Sequence, residues 1–209
     1  MRKSKLFIGA ALVVALVALG VGQSKIQEPS VAASNGVMAP HFLVDPYWPK
    51  PLPNNWAMGN TIGVDVDERD HVFIVHRNDA SQFGGNTEIG LQGGVAECCT
   101  PAPPIIEFDA EGNVVNAWGG PVEGAPYVWP ASNHGIEVAP NGDVWIGGNG
   151  GGDSHVLVFS RDGEYIRTIG MQGEGRDSNS KTHFARVAEI AIDVEANEAY
   201  FADGYQNRR

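Results

Sequence analysis

Six histidines, two cysteines and a small set of tyrosines and arginines are the side chains of this sequence that could do chemistry near neutral pH. His134 stands out by position, because in "NHGIEV" it opens a strand from which a side chain can reach an interior. A single histidine there reads either as a hydrogen-bonded core residue or as a metal ligand. His76 and His183 sit at a strand end and in a loop, where structural contacts are expected, and His41, His71 and His155 have no partner at metal-ligand spacing. Arg77 follows the apolar run "VFIVH" and should emerge at a rim, where it could grip a carboxylate with two parallel bonds or pair with Asp79 or Asp65. Tyr205, in "DGYQNRR", either caps a strand end or offers a phenol that can move a proton once a metal or cation lowers its pKa.

Cys98 and Cys99 are the only cysteines and are adjacent. In an exported protein two thiols tend to be oxidised, and a bridge between neighbours would stiffen the loop before "TPAPP". Two free thiols or bridges to other chains are the alternatives. "GGNGGGD" (147–153) invites a phosphate-loop reading but fails G-x-G-x-x-G, because Asp153 stands where the last glycine belongs and a strand follows. A flexible rim loop is the expectation there.

The elements that must position these residues are short strands. "TIGVDVDERDHVFIVHR", "HGIEVAPNGDVWIGG" and "AEIAIDVEANEAYFADG" each alternate apolar and polar residues, turn, and return, as hairpins with period-two patterning do. Asn141-Gly142 suggests a tight turn with positive φ at both central residues. A second hairpin type, "IIEFDAEGNVVNAWG" and "VLVFSRDGEYIRTIG", falls between these, with Phe108 and Phe159, and Gly112 and Gly163, both 51 residues apart. Gly63 and Gly135 are 72 apart, and the excess of 21 lies in "NDASQFGGNTEIGLQGGVAECCTPAPP", a loop inserted in the first unit. One hairpin of each type makes a four-stranded repeat of about 40 to 50 residues, the pattern of a propeller blade.

Composition agrees. With 27 glycines, 13 prolines and 43% hydrophobic residues in 209, the chain can bury a sizeable core and is expected to be all-β. Residues 1–24 read as a signal peptide or, uncleaved, a membrane anchor: basic "MRKSK" precedes 17 uncharged apolar residues. Residues 25–58 form a proline-rich lead-in arm whose Phe42, Tyr47, Trp48 and Trp56 should strap it onto the body, and residues 59–209 form the propeller portion. Loss of Arg2, Lys3 and Lys5 with the leader takes the formal charge from −11 to −14, which excludes nucleic acid as a partner. A periplasmic or extracellular protein acting on a small molecule or peptide fits, with membrane contact only through the N-terminal segment.

The motifs "GVDVDERDHVFIVHR", "NHGIEVAPNGDVWIGG", "HFARVAEIAID" and "DGYQNRR", in order from about Asp45 to Arg209, resemble the bacterial NHL-repeat propellers similar to peptidyl-α-hydroxyglycine α-amidating lyase. The resemblance implies six blades, of which about two and a half are present, so the sequence is expected to be an N-terminal fragment. It further implies a zinc held by three histidines, of which His134 matches the first. Arg77 matches the essential arginine and Tyr205 the catalytic tyrosine. A structural calcium on the backbone carbonyls of Val64 and Ile136 is implied as well. Three imidazoles around zinc leave a position open for an activated oxygen. The alternatives are a non-catalytic propeller scaffold and a calcium-dependent lactonase-type propeller.

Overall fold

The computed structural model describes residues 40–79, 98–173 and 177–209. The chain divides into two compact units, residues 1–44 and 45–209. Of the first only residues 40–44 are described, so the leader lies outside the described residues. Among the described residues no helix is long and apolar enough to cross a membrane.

The second unit is all-β. Its strands are β1 (Trp56–Ala57), β2 (Asn60–Val66), β3 (Val72–Arg77), β4 (Thr100–Pro101), β5 (Ile105–Phe108), β6 (Val114–Trp118), β7 (Asn133–Val138), β8 (Val144–Gly148), β9 (His155–Phe159), β10 (Tyr165–Gly170), β11 (Glu189–Asp193) and β12 (Glu198–Ala202). They form antiparallel sheets in the order β2-β3-β5-β6 and β7-β8-β9-β10, a two-stranded ribbon β11-β12, and a short parallel pair β1-β4. The two hairpin types therefore alternate along the chain as their patterns predict. Most of the inserted loop, residues 80–97, lies outside the described residues.

The turns differ from the expected two-residue kind. In the β2–β3 and β7–β8 hairpins, Asp67 N–H donates to His71 O and Ala139 N–H to Asp143 O, while Asp70 N–H and Gly142 N–H donate back to Asp67 O and Ala139 O. The same pair of bonds closes the β5–β6 and β9–β10 hairpins at Asp109 and Ser160. Only Gly142, not Asn141, has positive φ (89°), and Asp70 takes its place in the first hairpin (59°). This is a three-residue loop, a turn followed by one left-handed residue, and it explains why Asp-rich "DERD" and "PNGD" do the same work.

Side chains alternate between three apolar layers. Phe73, Val75 and Ile105 of the first sheet meet Ile136, Val138, Ile146, Leu157 and Phe159 of the second. Trp145, Val156 and Val158 point the other way, onto Val187 and Ile190. Because both faces are covered, β5, β8 and β9 are buried throughout, and they read as near-continuous apolar runs.

The remaining layer lies on the far side of the first sheet, where Ile74, Ile106 and Phe108 are covered by Trp48, Leu52, Trp56 and Met58. Two of the four expected strap aromatics therefore pack. Tyr47 is 80% exposed, and Phe42, in the first unit, is 83% exposed. Trp48 Nε1 donates to Ala110 O at 3.2 Å with its indole over Gly112, and Trp118 Nε1 donates to Arg161 O at 2.9 Å with its indole over Gly163. Ala110 and Arg161 are equivalent turn residues, so the arm covers the first sheet much as the first sheet covers the second.

Strands β2, β7 and β11 lie side by side. Asp65 Oδ2 accepts from Val138 N–H at 2.6 Å, and Glu137 Oε1 accepts from Ile192 N–H at 3.2 Å. The acidic residue in the same place on successive first strands thus reaches the same place on the next.

Candidate functional site

His134 is the second residue of β7, where the pairing with β8 is irregular between Asn133 and Ile136. Its neighbour Gly135 has no side chain, and a Cβ there would stand 3.0 Å from Ala188 O. That close approach brings the Ala188 carbonyl to 3.1 Å from His134 Nδ1. Ala188 N–H donates to Ala202 O, which ties the carbonyl to the β11–β12 ribbon. With Nδ1–H donating to Ala188, the lone pair of His134 sits on Nε2, and Tyr205 Oη donates to it at 2.6 Å. The rings meet edge to face, 5.1 Å between centroids.

Burial pushes the His134 pKa below the ordinary histidine range and the Arg77 charge pushes the same way, against the Ala188 bond and the Glu189 charge. The imidazole is neutral at pH 7. Arg77, the last residue of β3 and only 5% exposed, donates from Nε to Asn133 O at 3.3 Å and from Nη2 to Asn149 Oδ1 at 3.2 Å. Burial lowers its pKa, and the bond to Asn133 O sets the guanidinium against the residue that precedes His134.

Two residues that spacing alone did not single out hold this arrangement. Asn133 donates from Nδ2 to His76 O at 2.8 Å and accepts from Trp129 Nε1 at 2.8 Å, pinning the start of β7 to the end of β3. Asp153, 4% exposed, accepts from the N–H groups of Ala131 (2.8 Å), Ser132 (3.1 Å) and Gly150 (2.7 Å). The "GGNGGGD" loop, expected to be flexible, is therefore drawn in around a buried carboxylate, and it positions Asn149 against Arg77. Its signal in the sequence was the lone acid closing a glycine run.

Tyr205, 51% exposed, is carried by a closed terminal segment. Asp203, 1% exposed, accepts from Ala185 N–H (2.6 Å), Asn207 Nδ2 (2.8 Å) and Arg209 Nε (2.9 Å), and Arg209 O accepts from Asp203 N–H. Arg209 also reaches the carbonyls of Ser178, Ser180 and His183. Arg77, His134 and Tyr205, 128 positions apart at the extremes, thus come together.

At this spot the described residues offer one imidazole nitrogen and one phenol oxygen. A zinc ion takes three or four such donors, so His134 fits as one ligand and the described residues do not complete the set. Val64 is exposed and Ile136 is buried, paired with Ile74 and Ile146 respectively. Cys98 and Cys99 are bonded to each other just before β4. His76 is fully buried and accepts from Gly59 N–H on Nδ1 while Nε2–H donates to Pro103 O, a structural role.

Among the described residues, the side chains of Asp67, His71 and Glu107 are close enough to share an ion. His71, without a partner by spacing, meets Glu107 Oε1 at 2.7 Å. Both carboxylates are already paired: Arg69 bonds Asp67 at 3.1 Å and Glu107 at 2.9 Å, and Arg161 bridges the two. Two guanidiniums balance two carboxylates, so a cation would have to displace an arginine. The cluster is an ion-pair lock between the first and second sheets. Burial works to raise the Asp67 pKa, but the N–H groups of His71 and Arg69 and the Arg69 guanidinium outweigh it and hold the carboxyl below its ordinary 3.8. Its stabilisation is complete above pH 3.8 and is lost as pH falls below that through the depressed value. In urea unfolding, the gap between wild type and Asp67→Asn should therefore be constant from pH 7 to 5 and shrink toward pH 2. A gap that widens in acid would contradict the lock.

The chain matches no protein-family model and no curated protein.

Proposed function

We propose that this is an exported NHL-type β-propeller with a zinc-dependent, lyase-like site, acting as the peptidyl-α-hydroxyglycine α-amidating lyases do. One observation carries the reading: Arg77, His134 and Tyr205, named by the resemblance from three separate stretches, meet at one place, with Tyr205 Oη 2.6 Å from His134 Nε2. In that reaction the N–Cα bond of a C-terminal α-hydroxyglycine breaks, its electron pair goes to nitrogen with a proton, and the hydroxyl loses its proton to leave glyoxylate and a peptide amide. Zinc, when bound, would supply a Lewis acid.

The chain's own residues then divide the work. His134 presents Nε2 as a ligand, its tautomer fixed by the Ala188 carbonyl. Arg77, held by Asn133 and Asn149, faces the negative substrate carboxylate. When Nε2 binds the metal, Tyr205 Oη, half exposed beside the imidazole, would give up its hydrogen bond to that nitrogen and, once ionised, would take the hydroxyl proton. The structural calcium at Val64 and Ile136 belongs to the same proposal.

Zinc affinity, measured by competition with a chromophoric chelator, should fall at least about tenfold in His134→Ala. Tyr205→Phe should keep zinc and lose turnover of a peptide ending in α-hydroxyglycine. Equal zinc affinity in His134→Ala would remove that residue from the ligand set.

A further inference from the structure

Away from the group around His134, His155 uses only half of its ring. It is the first residue of β9, is 2% exposed, and donates Nε2–H to Val128 O at 2.8 Å. That bond fixes the tautomer and leaves the lone pair on Nδ1, a buried atom with no partner among the described residues. An unmet acceptor in a protein interior calls for an explanation.

The repeat does not ask for this residue. Pro104 and Ala117 stand 51 positions before His155 and Thr168, and Ala117 pairs with Ile106 as Thr168 pairs with Leu157. The first sheet thus forms with apolar residues in both places.

His155 and Thr168 line a cavity of about 320 Å³ together with Pro126, Tyr127, Val128 and Gln172. Small-molecule pockets run from about 300 to 1,000 Å³, so this one suits a single ring. The Tyr127 ring is held edge-on by Phe159, 5.1 Å between centroids, and with Pro126 it makes a firm apolar wall. Thr168 Oγ1 shares one bond with Tyr165 Oη at 2.9 Å and has capacity for another. Gln172 is exposed, and its amide bonds to nothing among the described residues. Nδ1 is closed to solvent as these side chains stand, and the unbonded Gln172 is the one free to turn and admit a ligand.

No charged side chain lines the cavity among the described residues, so an ionic ligand would leave its charge unpaired there. A bare acceptor, a hydroxyl and an amide call for groups that both donate and accept, and the apolar wall calls for a C–H face. A sugar ring carries both.

We propose that this cavity binds one ring of a neutral saccharide. A ring hydroxyl would donate to His155 Nδ1, others would bond Thr168 Oγ1 and the Gln172 amide, and a C–H face would lie on Tyr127 and Pro126. The site uses none of Arg77, His134 and Tyr205, so it survives failure of the zinc reading.

The 209-residue protein, with its histidines isotope-labelled at the ring nitrogens, should be titrated with glucose, galactose, mannose and N-acetylglucosamine at about pH 8, where an imidazole is neutral. At least one sugar should move the His155 Nδ1 resonance upfield, as for a nitrogen that accepts a bond, and leave that of His134 in place. Thr168→Val should weaken that sugar about fivefold. The matching uronic acid should bind at least about tenfold more weakly. A His155 Nδ1 resonance that no sugar of this set moves would overturn the proposal, and so would a uronic acid that binds as well as its neutral parent. Affinity unchanged in Thr168→Val would put the sugar elsewhere and overturn it equally.

Discussion

Asp153→Ala is expected to destabilise the protein by about 3 kcal/mol, since it removes a buried carboxylate that accepts from three backbone N–H groups. Each orphaned donor costs roughly 1 kcal/mol or more, and the substitution leaves Ala131, Ser132 and Gly150 all without the carboxylate they serve. The loop is packed close at Gly150, where a Cβ would stand 2.8 Å from both Ala131 Cβ and Ser132 N. Asp153→Asn should recover about half the loss, because one oxygen remains and the amide turns a donor toward a donor. Urea unfolding of the three proteins tests this. If Asp153→Ala unfolds within about 1 kcal/mol of wild type, the carboxylate does not organise the loop. The effect should reach the candidate site, because the same loop carries the Asn149 oxygen that Arg77 donates to.

The second large effect is expected at Gly163, where Gly163→Ala should cost about 3 kcal/mol. The residue has φ of +84°, which costs an alanine about 1 kcal/mol. The new Cβ would lie 2.7 Å from Trp118 Cδ2, and that overlap adds about 2 kcal/mol. The indole cannot yield easily. It is held by its bond to Arg161 O and packs 5.2 Å from the Phe159 ring. In a Trp118→Ala background the same substitution should cost only the backbone share, about 1 kcal/mol. Additive losses in the double mutant would mean that the indole is not what excludes a side chain at Gly163.

Much of the fold was legible because strands write themselves locally. Alternation in "TIGVDV" and "GIEV", and the 51-residue spacing of "IIEFDAEG" and "VLVFSRDG", are short-range signals, and the sheets follow them. The turns were half legible: Gly142 was identifiable as left-handed, whereas the loop length depends on hydrogen bonds between residues four apart that several sequences satisfy. The ion-pair lock was not legible. Its members are separated by up to 94 residues, and nothing in "DERDH" says that a guanidinium from "FSRDG" will arrive.

The candidate site divides the same way. The three chemical residues were named through the resemblance and the strand-start position of His134. Of the groups that hold them, Asp153 left a trace as the acid closing a glycine run, whereas Asn133, Asn149, Asp203 and the Ala188 carbonyl are ordinary polar residues or backbone whose partners appear only in the folded chain.

The relay of carboxylates along the first strands has a consequence for cooperativity. Asp65 binds an amide of β7 and Glu137 binds an amide of β11, so the same kind of side-chain link recurs between each sheet and its successor. Ala191 occupies the corresponding place on β11 and has no carboxylate to extend the series. Such an array behaves as a row of nearest-neighbour couplings, and among the described residues the two-stranded ribbon has fewer of them than the four-stranded sheets. The β11–β12 ribbon should exchange its amides first and the sheet of β7–β10 later. His134 and Tyr205 stand on opposite sides of that boundary, so loosening the ribbon would part the phenol from the imidazole.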